Sequence, residues 1–199
     1  MAECIILAGG KSERMGTNKL LIKYFCHPLI WYTIQSVQPF VSRIIIVTGK
    51  YDKEIREALK NENVEFVYNK DYEIGMFSSV LAGVRETKDD FLVLPGDCPF
   101  VEPETIKKIL NGSGDIRYPK CGETEGHPLY ISKKYKEELL NYGLDNNLKT
   151  FRDSKKCEII NVEDQNIVMN LNTVLDLNKL NNWEKEIVWK LMNTTERLL

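Results

Sequence analysis

Two adjacent glycines followed by spaced cations are the first place in this chain where residue type points to chemistry. The segment reads Leu7-Ala8-Gly9-Gly10-Lys11-Ser12-Glu13-Arg14-Met15-Gly16-Thr17-Asn18-Lys19. Gly9 and Gly10 let the backbone come close to a phosphate or a base, and their N–H groups can then serve as anion donors. Arg14 and Lys19 supply the positive charge that a triphosphate requires. Two commoner phosphate loops are excluded. A Walker A loop needs a glycine five residues before its Gly-Lys-Ser, and Gly10-Lys11-Ser12 has Ile5 there. The dinucleotide fingerprint GxGxxG is absent as well, since the glycines are Gly9, Gly10 and Gly16.

A second chemical position is Asp97, in Pro95-Gly96-Asp97-Cys98-Pro99. It follows the apolar run Phe91 to Leu94, so it stands at the exposed end of a buried strand. A carboxylate there suits Mg²⁺, which takes one or two protein groups and fills its shell with water and phosphate. An Asp in that place also serves as a turn residue; beside the glycine loop, the metal role is the expectation. Cys98 has no evident histidine partner and reads as a packing residue, not a nucleophile.

These groups need a scaffold that delivers loops to one edge, and the apolar pattern provides it. Cys4–Ala8, Arg43–Thr48, Val64–Tyr68 and Phe91–Leu94 are short apolar or β-branched runs that read as buried strands. Helical patterns alternate with them at Leu29–Val37, Glu54–Leu59, Met76–Arg85 and Pro103–Leu110, the last opened by Pro103 and Glu104. Four β-α units in succession predict a mostly parallel sheet covered on both faces. A loop leaving the carboxyl end of its first strand lies where such sheets bind ligands. Beyond Leu110 the pattern predicts strands at Asp115–Tyr118, Leu129–Ser132, Cys157–Val162 and Ile167–Asn170, and a helix at Lys133–Asn141. The tail from Lys179 puts Leu180, Trp183, Ile187 and Leu191 on one helical face, which either packs back on the domain or meets a partner.

Leu-Ala-Gly-Gly-x-Ser-x-Arg-Met-Gly-x-x-Lys resembles the signature of the molybdenum-cofactor nucleotidyltransferases and the wider MobA-like superfamily. The resemblance implies a three-layer α/β/α, Rossmann-like fold over residues 1–178, with 179–199 as a C-terminal helical extension. It implies that Leu7, Ala8, Gly9 and Gly10 wrap a nucleoside triphosphate while Arg14 and Lys19 stabilise its phosphates. Asn69, after the third strand, is implied to contact base or ribose. Gly75-Met76-Phe77-Ser78-Ser79-Val80-Leu81-Ala82-Gly83 is similar to the turn and helix start of the cytidylyltransferase branch, placing Gly75 and Ser79 near the nucleotide; either serine also suits a helix cap. Asp97 matches the family's metal-binding acid. Gly126-His127-Pro128 resembles a turn facing the acceptor, although His127 is equally a loop histidine.

Asn170-Leu171-Asn172-Thr173-Val174-Leu175-Asp176-Leu177 resembles the family's late Asx-x-Asx-Thr-Pro-Glu-Asp-Leu box and departs from it at Val174 and Leu175. Asn170 and Asn172 stand where the cytidylyltransferase branch has aspartates and the guanylyltransferase branch has asparagines. Asn172 is implied as a second Mg²⁺ ligand through its carbonyl, or as an Asx turn capping the next helix.

Composition narrows the function classes. Lys plus Arg number 27 against 29 Asp plus Glu, a net charge of −2, so no strong field invites nucleic acid or an anionic membrane. No apolar stretch approaches the ~20 residues of a membrane span. Five scattered cysteines without a CxxC pair, and only two histidines, read as free thiols in a reducing cytosol and not as a zinc cluster. An acid before the first apolar run is wrong for a signal peptide, and a cytoplasmic protein is expected.

The activity implied by the resemblance is transfer of a nucleoside monophosphate from GTP or CTP to the terminal phosphate of molybdopterin, with Mg²⁺ and loss of pyrophosphate. Leu-Ala-Gly-Gly and Asn-x-Asn point to GTP; Gly-Met-x-x-Ser and Gly-His-Pro point to CTP. The alternatives are a sugar- or polyol-phosphate acceptor, and a non-catalytic nucleotide-binding accessory that serves a molybdoenzyme client.

Overall fold

The structure, a computed structural model, describes residues 1–10 and 18–168. It opens with β1 (Glu3–Ala8) and, after a 3₁₀ turn at Lys19–Leu21, a small hairpin of β2 (Lys23–Tyr24) and β3 (His27–Pro28). Then come α1 (Leu29–Val37), β4 (Ile44–Thr48), α2 (Asp52–Ala58), β5 (Glu65–Tyr68), α3 (Met76–Glu86), β6 (Phe91–Pro95) and α4 (Pro103–Asn111). The remainder is β7 (Ile116–Cys121), β8 (Thr124–Glu125), β9 (Leu129–Ile131), α5 (Lys136–Leu140), α6 (Leu148–Asp153) and β10 (Glu158–Asn161).

The apolar runs build the middle of the sheet because both faces of each are buried. Cys4, Ile6 and Ala8 of β1, with Ile44, Ile46, Leu92 and Leu94, pack beneath α1, α2 and α4. Ile5, with Ile45, Val47, Phe91 and Val93, packs beneath α3, α5 and α6. Alternation with apolar residues on both sides is what a strand between two helical layers needs. Each fully buried Ile or Phe contributes about 1.5–3 kcal/mol relative to exposure. The expected mostly parallel sheet in three layers is observed.

Strand order in the large sheet is β10-β7-β9-β6-β1-β4-β5, with β8 also paired to β7. β1 is parallel to both β4 and β6, and β4 to β5. The chain therefore runs from β1 outward through β4 and β5, then returns to place β6 on the other side of β1. The carboxyl ends of β1 and β6 flank that reversal, the place where open α/β sheets form a crevice. β9 runs antiparallel to β6 and β7, with Val93 opposite Leu129. Its beginning, not its end, thus meets the crevice.

The sequence pattern missed or misread several elements. Of the strand expected at Ile167–Asn170, Ile167 and Val168 belong to a 3₁₀ turn, Gln165–Val168, and the remaining two positions lie outside the described residues. Asp164 Oδ1 accepts the Asn166 N–H at 2.9 Å, and this local bond competes with extended pairing. α6 was not expected; its start is a reciprocal cap in which Asn147 and Thr150 bond each other's backbone. The expected helix Lys133–Asn141 divides into a 3₁₀ turn at Lys133–Tyr135 and α5. The tail helix and the 178/179 boundary lie outside the described residues. Among the described residues no helix is long and apolar enough to cross a membrane.

Candidate active site

Lys19 leads the site because its backbone is held on both sides. Asn18 Oδ1 accepts the Leu20 N–H at 3.1 Å and so caps the 3₁₀ turn. Leu20 is buried and lies under Gly96, where an added Cβ would stand 3.1 Å from its Cδ1. Lys19 follows the glycine segment in sequence while its turn rests on the loop after β6.

That loop is fastened to β1 and α1. The Gly96 N–H donates to Leu7 O at 3.0 Å, and Thr33 Oγ1 donates to Gly96 O at 2.8 Å. Asp97 then projects toward Lys19, and Nζ stands 2.5 Å from Asp97 Oδ2. The side chains are 25% and 13% exposed, so the pair is partly shielded yet open to a ligand. Asp97 Oδ1 has no hydrogen-bond partner among the described residues. A single carboxylate with one oxygen to spare fits a hard divalent cation that keeps water and phosphate in its shell. Among the described residues no group of three or more His, Cys, Asp or Glu could cage a metal. Cys98 is fully buried and burial pushes its thiol far up, in keeping with a packing role.

His127 enters from the opposite strand direction. The Val93–Leu129 register carries it to the level of Pro95, one end of the Asp97 loop. Its N–H donates to Ile167 O at 2.8 Å. Burial holds the imidazole below its ordinary value; Asp97 pulls it up and Arg152 pushes it further down. It is neutral near pH 7, and its buried Nδ1 has no partner. Asn18 Nδ2, immediately before Lys19 in the chain, is likewise buried and unpartnered. Buried polar groups are ordinarily satisfied, so two orphans in these two segments mark unmet hydrogen-bonding capacity.

The residues expected on the nucleotide side gather at the adjoining strand ends. Gly9 is packed so closely that an added Cβ would lie 2.7 Å from Ser79 Oγ. Gly10 is exposed, with open space around it. Gly75 takes φ 141°, a conformation suited to glycine, just before α3. Asn69 Nδ2 donates to Ser78 Oγ at 2.8 Å and Ser79 Oγ at 3.0 Å. The expected Leu7, Ala8, Gly9, Gly10, Asn69, Gly75 and Ser79 thus belong to one group of strand ends, with Lys19 and Asp97 at the β1–β6 side of it. Arg14, Asn170 and Asn172 lie outside the described residues.

Sequence reasoning missed Asn18, Thr33 and Arg152. An asparagine before a lysine carries no mark of a capping role, and Thr33 lies within a mostly apolar helix whose period gives it no separate role. Arg152 stacks over Tyr118 with its guanidinium carbon 4.2 Å from the ring centroid and bonds Glu125 at 2.7 Å. Only the folded sheet brings its charge near His127.

Residues 4–158 match the family model described as the MobA-like NTP transferase domain. The chain is 34% identical over 135 residues to the molybdenum cofactor cytidylyltransferase of Escherichia coli (strain K12), covering 66% of this chain and 70% of that protein. Among solved structures, a nucleotidyl transferase from Methanothermobacter thermautotroptrophicus superposes with TM-score 0.80 at 24% identity, over 94% of this chain and 99% of that one. Rv0371C of Mycobacterium tuberculosis H37Rv, solved with manganese, superposes with TM-score 0.71 at 20% identity, over 90% and 97%. The two structures share the fold, and the family model spans the part of the chain that holds Lys19 and Asp97. On those grounds the chain belongs to the MobA-like NTP transferase family and is a nucleotidyltransferase.

Proposed function

We propose that this chain moves a cytidylyl group from CTP to the terminal phosphate of a molybdopterin-type acceptor, with GTP as the alternative donor and Mg²⁺ at Asp97. The observation that carries the reading is the Lys19–Asp97 pair, 2.5 Å apart at the β1–β6 reversal, with His127 near enough to feel the Asp97 charge. The choice of CTP and of the pterin acceptor is supported by the 34% identity to a molybdenum cofactor cytidylyltransferase. Divalent-metal use is supported by the spare oxygen of Asp97 and by the manganese bound in a protein of the same fold.

A nucleoside triphosphate with its cation brings both signs of charge, and the pair offers a match for each. Lys19 would hold the phosphates and Asp97, with Asn172, the cation, whose chemistry is to neutralise charge developing on the phosphate oxygens. An acceptor phosphate oxygen attacks the α-phosphorus; the bond from that phosphorus to the β-bridging oxygen breaks, and pyrophosphate leaves. A phosphate monoester is already anionic, so no general base is required. Neutral His127 offers the acceptor a hydrogen bond and no charge. Catalysis then rests on positioning and electrostatic stabilisation.

Pyrophosphate release from CTP and from GTP, each with Mg²⁺ and purified molybdopterin, tests the reading. Release that needs both pterin and metal, faster with CTP, is expected. Nucleotide binding without release would replace it with the non-catalytic accessory serving a molybdoenzyme. Release with a sugar or polyol phosphate, and none with the pterin, would replace the acceptor.

A further inference from the structure

Asn69 stands one residue beyond β5 and is 4% exposed. Its N–H donates to Thr48 O at 3.0 Å, fastening it to the end of β4. Its Oδ1 accepts the Asp71 N–H at 3.0 Å. A backbone N–H can only donate, so this bond settles which side of the amide is oxygen. The two amide hydrogens then face Ser78 Oγ and Ser79 Oγ. Both donors and the carbonyl are committed inside the protein, leaving little for a base or ribose to use.

The two serines differ in what they do with their own protons. Ser78 Oγ lies 2.8 Å from Asp71 O and 2.8 Å from Gly75 O, so its proton closes the turn before α3. Ser79 Oγ accepts from Asn69, and no acceptor among the described residues takes its proton. That oxygen is also the atom against which Gly9 is packed. The serine hydroxyl is therefore held at the glycine turn with a lone pair occupied and its donor uncommitted.

We propose that Asn69 is a positioning residue of the nucleotide site: it holds Ser79 Oγ against Gly9 with its polarity set, so that the Ser79 proton is donated to the nucleotide. This rests on the reading of the crevice as a nucleoside triphosphate site. It assigns the recognition contact to Ser79 and gives Asn69 no direct contact with base or ribose.

Asn69→Asp separates polarity from shape. A carboxylate of the same size still accepts the Asp71 N–H and accepts from Ser79, whose proton turns inward and is lost to the ligand; to bond it, Ser78 must turn its own proton away from Asp71 O and Gly75 O. The measurement is the affinity of Mg²⁺–CTP and Mg²⁺–GTP by calorimetry for the full chain, with thermal unfolding alongside. Expected is a loss of about tenfold for Ser79→Ala, the size of one hydrogen bond to a charged or polar ligand. Asn69→Asp should lose as much affinity, measured at a temperature where the unfolding curve shows it folded, and no more when added to Ser79→Ala. A further loss in the double variant would show that the new charge acts by repulsion, which overturns the proposal. A changed CTP-to-GTP preference in Asn69→Ala, absent from Ser79→Ala, would show direct base contact and overturn it also. If the unmodified chain binds both nucleotides but Asn69→Asp binds them equally well, only this inference fails. If the unmodified chain binds neither, the nucleotide reading and the inference fall together.

Discussion

Asp164 Oδ2 accepts the Glu102 N–H at 2.8 Å, closing the first turn of α4 from a point 62 residues further along the chain. The same oxygen accepts Thr105 Oγ1 at 2.9 Å. Asp164 and Thr105 are each 2% exposed, so the bond between them is made out of water. α4 follows directly on the Asp97 loop, and the segment after Asp164 reaches His127 through Ile167. One buried carboxylate thus ties both sides of the crevice together. Asp164→Ala should cost about 1–3 kcal/mol of stability, the penalty for leaving buried donors unpaired. Urea unfolding measures it, and an unchanged midpoint would remove this role.

The Lys19–Asp97 pair leads to a second expectation. Lys19→Ala and Asp97→Asn should each lower turnover by roughly 10² or more, since each removes preorganised charge at the reacting phosphates. The pair is only partly buried, so little stability should go with it. Titration with Mg²⁺ should tell the two apart: the Asp97 variant should need more metal for its residual rate, and the Lys19 variant should not. Chelation of divalent metal should abolish release in the unmodified protein.

Asn18 offers a cleaner test of an orphaned donor. Asn18→Asp keeps the oxygen that caps Leu20 and removes the unpartnered Nδ2. Nucleotide affinity should fall about five- to tenfold, as for one lost hydrogen bond. The unfolding temperature should hold. Unaltered affinity would mean that the donor plays no part in binding.

His127 sets a pH dependence. In the unfolded chain its imidazole titrates near about 6.5; in the fold, burial first and Arg152 second hold it lower, against the pull of Asp97. Above about 6.5 both states are neutral and the group is silent. As the pH drops below that value the unfolded chain takes up a proton first, so stability declines until the folded value is passed. Urea midpoints from pH 8 to pH 5 should therefore fall more steeply in the unmodified protein than in His127→Asn. Parallel slopes would contradict a neutral, buried His127.

Much of this was legible in residue type and spacing. The β1–β6 elements that hold the glycine pair, Lys19 and Asp97 were legible, and a phosphate loop and a hard-oxygen position are what those residue types suggest, because both signals are local. Runs such as Ile44 to Val47 read as strands since a strand buried on two faces has no polar side to show. The antiparallel β9 and the capped α6 were not legible in this way. A three-residue strand has too little periodicity to state its direction, and the Asn147–Thr150 cap resembles any polar loop.

The sequence by itself determined which groups are on offer for the proposed phosphate chemistry and that parallel strands would carry them to one edge. Tertiary structure decided which groups meet. Lys19 and Asp97 are 78 positions apart and become partners only because the chain reverses across β1. His127 reaches that pair only because β9 runs against its neighbours. Asn69, whose motif position implies a ligand contact, has its side-chain donors and carbonyl taken up by Ser78, Ser79 and Asp71. The physical reason is the range of the forces involved. Propensity and apolar period act over a few residues, whereas a side chain's partner is chosen by whatever packing brings within about 3 Å of it.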